Sequence, residues 1–435
     1  MKRRILHPIQ LERSATKMGM KKKRSLLVHL SPAAASLFWF TFASSSSSSS
    51  FSFAYISTQM SRAKKREELL QRVGQLMPEE QRTDFNMDRW LDAYDEDIGR
   101  CAEVIVDYLK NRSAVGFDDL ESGGDFFARP SARHYCGVFT QSKLRKDWVN
   151  AYDNAIVFVE TGVADPNMAA RVTRTGDFLR EFFVHCEYFL QLILGQERRS
   201  GRRSYAFCIF DMQHMSIIQY ANPLAPINKI FEARIGVFMA YYMEVLSSVV
   251  IVNPPRLLNI LLKIMSILVP GKILSRFHIA QSLHEVEKWI APEAIPIGYG
   301  GKRVVEGADL PTGCNRPTEY GKGDYLTDGM VWERFGVGKM NYEQSVVGVG
   351  DSWTRELRAK AGQMLVYEYF ANRNFEITVE NENGDYLLPH FRMSTPMLAE
   401  EGAVPVKKDM RIRVEVKNLS KLMKMKLRAA FLLID

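Results

Sequence analysis

The chain has 435 residues, and its 58 Lys and Arg residues outnumber its 50 Asp and Glu residues, which gives a net charge of +8. The excess lies in the first 60 residues, which hold nine basic residues and one acidic residue, so the other 375 are neutral overall. With 46% apolar and 25% charged residues, the composition predicts a globular protein of two or three domains. It excludes a disordered chain, collagen and a many-span membrane protein, and the neutral body gives no electrostatic support for nucleic-acid binding.

Residues 1–60 have the order of features found in a signal peptide. The basic run Lys21–Arg24 precedes the apolar stretch Ser25–Ala43, and seven serines follow. No small-x-small cleavage site follows them, and Met60 offers a second start. We therefore interpret residues 1–60 as a low-complexity leader that is disordered or mispredicted, with a working signal peptide or membrane anchor as the alternative.

The cysteines indicate the cellular compartment. There are five, an odd number, widely spread and without a Cys-x-x-Cys pair: Cys101, Cys136, Cys186, Cys208 and Cys314. This spacing suits neither a disulfide scaffold nor a zinc module. We expect reduced, buried thiols in a cytoplasmic protein.

Residues 61–134 are predicted to form a helical front section. Apolar side chains recur there at steps of three and four residues, the period of one helix face. They are Trp90, Leu91, Tyr94, Ile98, Cys101, Ile105, Tyr108 and Leu109.

Residues 135–305 alternate short apolar runs with longer helical patterns. The strand-like runs are Ala155–Val159, Tyr205–Phe210, Val249–Val252 and Phe277–Ile279. The helical candidates are Met168–Gln196, Ala225–Leu246 and Pro255–Leu268. Repeated strand, helix, strand order predicts an α/β domain with a largely parallel sheet.

The pattern changes after residue 305. Residues 306–329 are polar and rich in glycine and are predicted to be a linker. In residues 330–435 apolar and polar positions alternate with period two, as in Phe375, Ile377 and Val379. Turns are predicted at Asn383–Asp385 and at Glu401–Gly402. The section is predicted to be an all-β sandwich with one wet face per sheet.

Catalytic motifs are missing from the sequence. It holds no nucleophile elbow, phosphate loop, HExxH or paired metal-ligand motif. His278 and His284 are spaced for neither a metal pair nor a catalytic dyad, and Cys208 lies in an apolar strand where a thiol is unreactive. Asp211 ends that strand and is expected to act as a cap or terminator. We expect no enzyme activity, no metal and no cofactor.

The most unusual segment is Pro255–Leu268, a helical pattern that is apolar nearly all round. Such a helix is buried on both sides, lies in a membrane or covers an apolar ligand. It is too short to cross a bilayer. Two charged residues flank it: Glu244 interrupts an apolar helix, and Arg276 precedes an apolar strand. A structural ion pair is the simplest interpretation of each.

These residues resemble the CRAL-TRIO lipid-transfer family. The resemblance covers roughly residues 85–305 and is carried by Tyr242–Glu244, Asn253 nine positions after Glu244, Arg276 twenty-three positions later, and Ile295–Lys302. Ile209–Met212 is similar to the family's central strand motif. The last hundred residues resemble a GOLD domain by pattern and position, an order typical of the supernatant-protein-factor branch.

The resemblance implies a cytoplasmic carrier that encloses one lipid in an apolar cage. The apolar helix would be a hinged gate, with Leu257, Leu258, Leu261, Leu262 and Met265 as its apolar residues. In phosphoinositide-binding members, residues at the positions of Glu244 and Arg276 contact the headgroup. In phosphatidylcholine-binding members, hydroxyl residues stand where this chain has Ala206 and Cys208, which argues against that lipid.

The sequence therefore predicts a lipid-binding and transfer protein whose ligand is a phosphoinositide or an isoprenoid-type lipid. Its expected partners are the lipid, a membrane surface contacted transiently and a protein bound by the GOLD-like section, but no nucleic acid. The alternative is a scaffold or trafficking adaptor that acts through the GOLD-like section. An enzyme is the third possibility. Local cations, including Arg276, Lys263, Lys272 and Lys302, would supply any affinity for anionic lipid.

Overall fold

The computed structural model describes residues 61–119, 126–215, 217–220, 222, 224–256, 258, 266 and 270–435. The predicted leader of residues 1–60 lies outside the described residues. So does most of the predicted apolar helix of residues 255–268.

The front section is helical, as predicted. Its helices are α1 (Arg62–Val73), α2 (Asp84–Ala93), α3 (Ile98–Ala114) and α4 (Pro130–Val138). Ser61, Thr83 and Asp97 each accept a backbone N–H of the first turn that follows, which caps α1, α2 and α3. Arg62 holds α1 on α2 through Asp88 at 2.8 Å and Asp92 at 2.6 Å.

A five-stranded sheet follows, and all four predicted strands are present. Its strands are β1 (Val149–Asn150), β2 (Ala155–Thr161), β3 (Ala206–Asp211), β4 (Leu246–Val252) and β5 (Phe277–Ile279). They are ordered β1-β2-β3-β4-β5. The short β1 pairs antiparallel with β2, and the other pairs are parallel, so the prediction of a largely parallel sheet is confirmed.

The helices between these strands differ in extent from the prediction. They are α5 (Pro166–Val172), α6 (Thr175–Ser200), α7 (Ile217–Tyr220), α8 (Pro226–Tyr241) and α9 (Gly271–Leu274). The predicted helix 168–196 is two helices, because Thr173 has extended backbone angles, φ −137° and ψ 126°. The predicted helix 225–246 ends at Tyr241, since Leu246 already begins β4.

Short 3₁₀ turns fill several connections: Glu79–Gln81, Phe117–Asp119, Phe126–Ala128, Leu283–Lys288, Pro292–Ala294, Ile297–Tyr299 and Lys322–Asp324. Residues 306–329, predicted as a linker, have irregular backbone but pack along the preceding domain. Cys314 is fully buried. The backbone N–H groups of Thr318 and Leu326 donate to the carbonyls of Gly137 and Arg171, each at 2.9 Å.

The last section is a β-sandwich preceded by α10 (Met330–Arg334). Its strands are β6 (Glu343–Val347), β7 (Ser352–Ala359), β8 (Met364–Ala371), β9 (Phe375–Asn381), β10 (Tyr386–Leu388), β11 (Arg392–Met393), β12 (Glu400–Pro405), β13 (Met410–Asn418) and β14 (Met425–Ile434). One sheet has the order β10-β9-β13-β7, with β11 on β9, and the other β12-β8-β14-β6. The predicted alternation is confirmed, since Phe375, Ile377 and Val379 are buried between half-buried neighbours.

One of the two predicted turns is wrong. The turn at Asn383–Asp385 exists, with Gly384 at φ +78°. Glu401 and Gly402, by contrast, lie inside β12 and pair with β8. A Cβ on Gly402 would lie 2.8 Å from the Tyr367 ring, so this glycine permits close strand packing and does not form a turn.

The sandwich packs directly on the helices. Phe391 lies 6.0 Å from Phe183 of α6, between ring centroids. Asp107 of α3 is 2.9 Å from His390 Nδ1 and also accepts the Tyr386 hydroxyl at 2.9 Å. Burial lowers the pKa of His390, but its bonds to Asp107 and Glu376 outweigh this and raise the pKa to about 9. His390 is therefore a charged link between the helical layer and the sandwich at neutral pH.

Candidate functional site

The five-stranded sheet has one face toward α6 and α8, which we call the inner face. Strand register places two rows of side chains across it, one of Phe158, Cys208, Val249 and Phe277, the other of Glu160, Phe210, Ile251 and Ile279. Four of these apolar side chains are only half-buried: Phe158, Phe210, Phe277 and Ile279. The inner face thus keeps apolar surface that the described residues do not fully cover.

A charged pair lies at the edge of this apolar surface. Arg234 of α8 donates to both carboxylate oxygens of Glu160, at 2.5 and 2.6 Å. Its guanidinium also lies 4.6 Å from the centre of the Phe182 ring. Burial lowers the pKa of Arg234, but the charge and hydrogen bonds of Glu160 outweigh it and raise the pKa. The pair is a fixed polar group beside an apolar surface.

His185 of α6 is a neutral polar group in the same layer. Its ring is surrounded by aromatic side chains, with Phe126 at 5.1 Å, Phe189 at 6.3 Å and Phe158 at 6.4 Å between centroids. Within the described part of the chain its Nε2 has no hydrogen-bond partner. Burial, and then the nearby charge of Arg234, lower the pKa of His185 to about 3. The imidazole is therefore uncharged at neutral pH.

Asp211 organises the carboxyl ends of β3 and β4. Its Oδ1 accepts the Asn253 amide at 2.9 Å, and its Oδ2 accepts the Tyr299 hydroxyl at 2.8 Å. It also accepts the backbone N–H of Gln213 at 2.9 Å, so the predicted role as strand terminator is confirmed. Asn253 has φ +51°, a left-handed conformation that turns the chain away from the sheet just before residue 255.

The structure brings the two predicted headgroup residues together. Arg276 donates to Glu244 Oε2 at 2.8 Å, and Lys272 Nζ lies 2.8 Å from the other carboxylate oxygen. Arg276 also donates to the carbonyls of Met243 at 2.8 Å and Leu246 at 2.6 Å. Glu244 is buried and Arg276 nearly so. In this arrangement the pair joins the start of β4 to the approach to β5.

A small cavity lies beside Glu244. Its volume is about 20 Å³, and its lining includes Trp90, Tyr241 and Met243. That is room for about one water molecule. This cavity is too small to hold a lipid headgroup.

Several other residues singled out in the sequence are described by the structure, and their surroundings are ordinary. Leu258 is buried at 5% exposure, whereas Leu257, Leu261, Leu262, Met265 and Lys263 lie outside the described residues. His278 stacks on Trp289 with centroids 5.1 Å apart, and His284 is exposed. Lys302 pairs with Glu293 at 2.9 Å.

The five cysteines are free thiols, and all but the half-buried Cys186 are buried. Burial raises the pKa of Cys208 far above that of an ordinary thiol, and the charge of Glu160 adds to the effect. Cys208 is therefore protonated and a poor nucleophile at neutral pH. Among the described helices none combines the length and the apolar character needed to cross a bilayer.

Sequence reasoning missed Glu160, Arg234 and His185. They are separated by up to 74 positions along the chain, and none belongs to a recognisable motif. One local signal existed, since Glu160 follows an apolar run and Arg234 interrupts an apolar helical pattern. Buried charges of this kind need a partner.

Comparison with known proteins identifies the central region. A family model for the CRAL/TRIO domain matches residues 151–301. The CRAL-TRIO domain-containing protein C34C12.6 of Caenorhabditis elegans is 26% identical over 353 residues, which are 79% of this chain and 88% of that protein. The CRAL-TRIO domain-containing protein F28H7.8 of the same organism is 23% identical over 223 residues, 50% of this chain and 53% of that protein.

A solved structure, the crystal structure of Sfh5, has a TM-score of 0.41 and 15% identity over 55% of this chain and 85% of that chain. None of these comparisons names a GOLD domain. The residues that carried the resemblance, from Tyr242 to Lys302, lie within the matched region or one residue beyond it. Residues 151–301 therefore match the CRAL/TRIO domain, which supports lipid binding or transfer in general.

Proposed function

We propose that this protein is a non-enzymatic, cytoplasmic carrier that binds one hydrophobic lipid against the inner face of the sheet. The observation that carries the proposal is the incomplete burial of Phe158, Phe210, Phe277 and Ile279 in the middle of a domain. A lipid chain laid on this surface would gain about 0.8 kcal/mol per CH₂ removed from water. The lipid would then complete the core that the described side chains leave open.

The proposed gate is the apolar segment that follows Asn253. The Asp211–Asn253–Tyr299 contacts fix the point at which the chain leaves β4, so a gate that begins there would not need to disturb the sheet. An apolar gate that moves between the lipid and a bilayer surface exchanges one apolar environment for another, which keeps the cost of opening low.

A phosphoinositide is the ligand we favour over an isoprenoid-type lipid. Glu244, Lys272 and Arg276 would contact its headgroup, with the two cations binding phosphate. Since Arg276 is bonded to Glu244 and to two carbonyls in the structure, binding would require the headgroup to replace some of these partners. We further propose that the C-terminal sandwich is a GOLD domain.

Lipid analysis of the full chain purified from cells tests the proposal. We expect about one lipid per protein, enriched in phosphatidylinositol species. Isolation of folded protein without any lipid would overturn the cage and favour the scaffold alternative. An isoprenoid lipid in its place would keep the cage and remove the headgroup assignment.

Substitution of the headgroup pair tests the assignment of the site. We expect E244A/R276A to lower phosphatidylinositol transfer between vesicles at least tenfold. D147A/R303A is the matched control, because Asp147 and Arg303 form an ion pair at 2.6 Å with Arg303 20% exposed, close to the 16% of Arg276. Urea unfolding of both variants separates lost stability from lost binding. Equal transfer by the two variants would show that Glu244 and Arg276 are a structural pair.

A further inference from the structure

The β-sandwich exposes apolar side chains at one end, on the loop between β13 and β14. Leu422 is 65% exposed and Met423 50% exposed. On the neighbouring strand and loop, Val346 is 67% and Val349 45% exposed. We call residues 419–426 with residues 346–351 the sandwich tip. Large apolar side chains grouped on a surface in this way mark an interaction site.

The sandwich tip is a built structure. The amide of Asn418, which is 1% exposed, donates to the carbonyls of Gly348 at 2.8 Å, Met423 at 2.9 Å and Val347 at 3.3 Å. The Ser420 hydroxyl accepts the backbone N–H of Met423 at 3.0 Å. These bonds hold the two loops together, so Leu422 and Met423 are presented to solvent at little further cost in conformational entropy.

Cations surround the apolar side chains. Lys421, Lys424 and Lys426 are exposed, and Arg373 Nη2 lies 3.3 Å from the Met423 sulfur. The sequence holds no acidic residue from Val416 to Ile434, and Asp351 is the one acidic residue of the other tip segment. A tip that is apolar at its centre and mainly basic at its edge matches the surface of an anionic bilayer, where lysines meet headgroups and apolar side chains enter the interface.

The tip also lies on the side of the molecule where α8 runs. The Leu419 N–H donates to the carbonyl of Asn374 at 3.1 Å, and the Asn374 amide donates to Glu232 of α8 at 3.0 Å. Leu224, two residues before α8, is 58% exposed, and Ile218 is 77% exposed. Further apolar surface is therefore available toward the start of the helix that bears Arg234.

We infer that the sandwich tip docks this protein on an anionic phospholipid bilayer, with Leu422 and Met423 inserted at the interface and Lys424 and Lys426 near the headgroups. Docking rests on the tip alone and does not require a lipid in the cage. It places α8, and with it one wall of the proposed cage, near the membrane.

Flotation of the full chain with vesicles tests the inference. We expect binding to phosphatidylcholine vesicles that contain phosphatidylserine, and little binding to phosphatidylcholine alone. L422E/M423E should lower the partition coefficient at least tenfold. K424E/K426E should lower the partition coefficient about fivefold or more for each lysine replaced. Added salt should lower the partition coefficient of the wild type toward that of this variant. L76E is the matched control, because Leu76 is 61% exposed and follows α1, outside the sandwich.

Two results would overturn the inference. One is wild-type binding that L422E/M423E leaves unchanged, and the other is the absence of wild-type binding to anionic vesicles, as expected if the tip contacts a protein instead. The milder L422S/M423S variant and circular dichroism show that lost binding is not lost folding. Lipid content is measured on the same samples. A tip variant that no longer docks but retains its lipid supports docking through the tip, independent of the cage. Wild-type protein that docks but holds no lipid contradicts only the proposed function.

Discussion

The two faces of the five-stranded sheet are made by the same strands and differ in how they are covered. The outer face is fully buried, and its residues Val157, Val159, Phe207, Ile209, Val250 and Val252 are at most 1% exposed. Trp148, just before β1, covers it together with Ile290, Tyr299 and Cys314 from segments later in the chain. The inner face keeps half-buried aromatic side chains. The outer face is therefore completely covered by protein, whereas the inner face has apolar surface left on which another apolar molecule could pack.

The two faces also differ in the polar groups that lie beside them. The outer cover uses a backbone acceptor, since the Trp148 indole donates to the Ala294 carbonyl at 2.7 Å. The inner side holds the charged pair Glu160–Arg234 and the Nε2 of His185, which has no hydrogen-bond partner among the described residues. A buried polar atom without a partner costs stability, so the position of His185 Nε2 beside the inner face fits a surface shaped for binding.

Truncation of one phenylalanine on each face tests the comparison most strongly. Phe207 and Phe210 lie on the same strand, with Phe207 on the outer face at 1% exposure and Phe210 half-buried on the inner face. F207A should lower the free energy of unfolding by about 3–5 kcal/mol, because a buried ring leaves a cavity. F210A should cost less than half as much.

Urea unfolding measures the two stabilities, and mass spectrometry measures bound lipid. We expect F210A to lose lipid out of proportion to its stability, while F207A retains lipid under conditions in which it stays folded. The comparison of faces fails if both variants lose stability and lipid to the same degree.

Much of the fold could be predicted because local sequence patterns determine its strands and helices. The run Tyr205–Phe210 is apolar on both faces and became β3, and the alternation around Ile377 became β9. Glu244 and Arg276 lie 32 positions apart and form a pair, whereas the resemblance implied only that each contacts a headgroup. The two carbonyl partners of Arg276 also fit the simpler interpretation as a structural pair.

What could not be predicted depends on contacts between distant parts of the chain. His390 and Asp107 are 283 positions apart, and no local pattern predicts that they meet. Gly402 was assigned to a turn because glycine usually marks one, but Tyr367 from another strand decides its role. The partial burial of Phe210 could not be predicted either, because it depends on which later segment covers the inner face.

A change of pH should loosen the inner side before the outer side. The pKa of His390 is raised from 6.5 to about 9, so its contribution to stability is complete below about pH 6.5 and is lost as the pH rises to 9. We expect the wild type to lose about 2–3 kcal/mol over this range through His390. Because Phe391 beside it contacts α6, amide exchange should rise in α6 more than in the segments that cover the outer face.

The variant H390Q isolates this contribution. It should be less stable than the wild type at pH 6.5 and should show a flatter dependence on pH up to 9. H284Q is the control, since His284 is exposed. Identical slopes for the wild type and H390Q would show that another group governs the alkaline loss.

The smallest effect is expected from hydroxyl groups added to the inner face. Ala206 and Cys208 lie on β3 and contribute to the inner side of the core, at the positions where the resemblance implies hydroxyls in phosphatidylcholine-binding members. A206S/C208T should raise the share of phosphatidylcholine among bound lipids a few fold, because a buried hydroxyl without a protein partner favours a ligand that supplies one. The cost in stability should be about 1–2 kcal/mol. V157T adds a buried hydroxyl to the outer face at a similar cost, and it should leave the lipid composition unchanged; a shift of equal size in V157T would mean that lipid choice does not depend on the inner face.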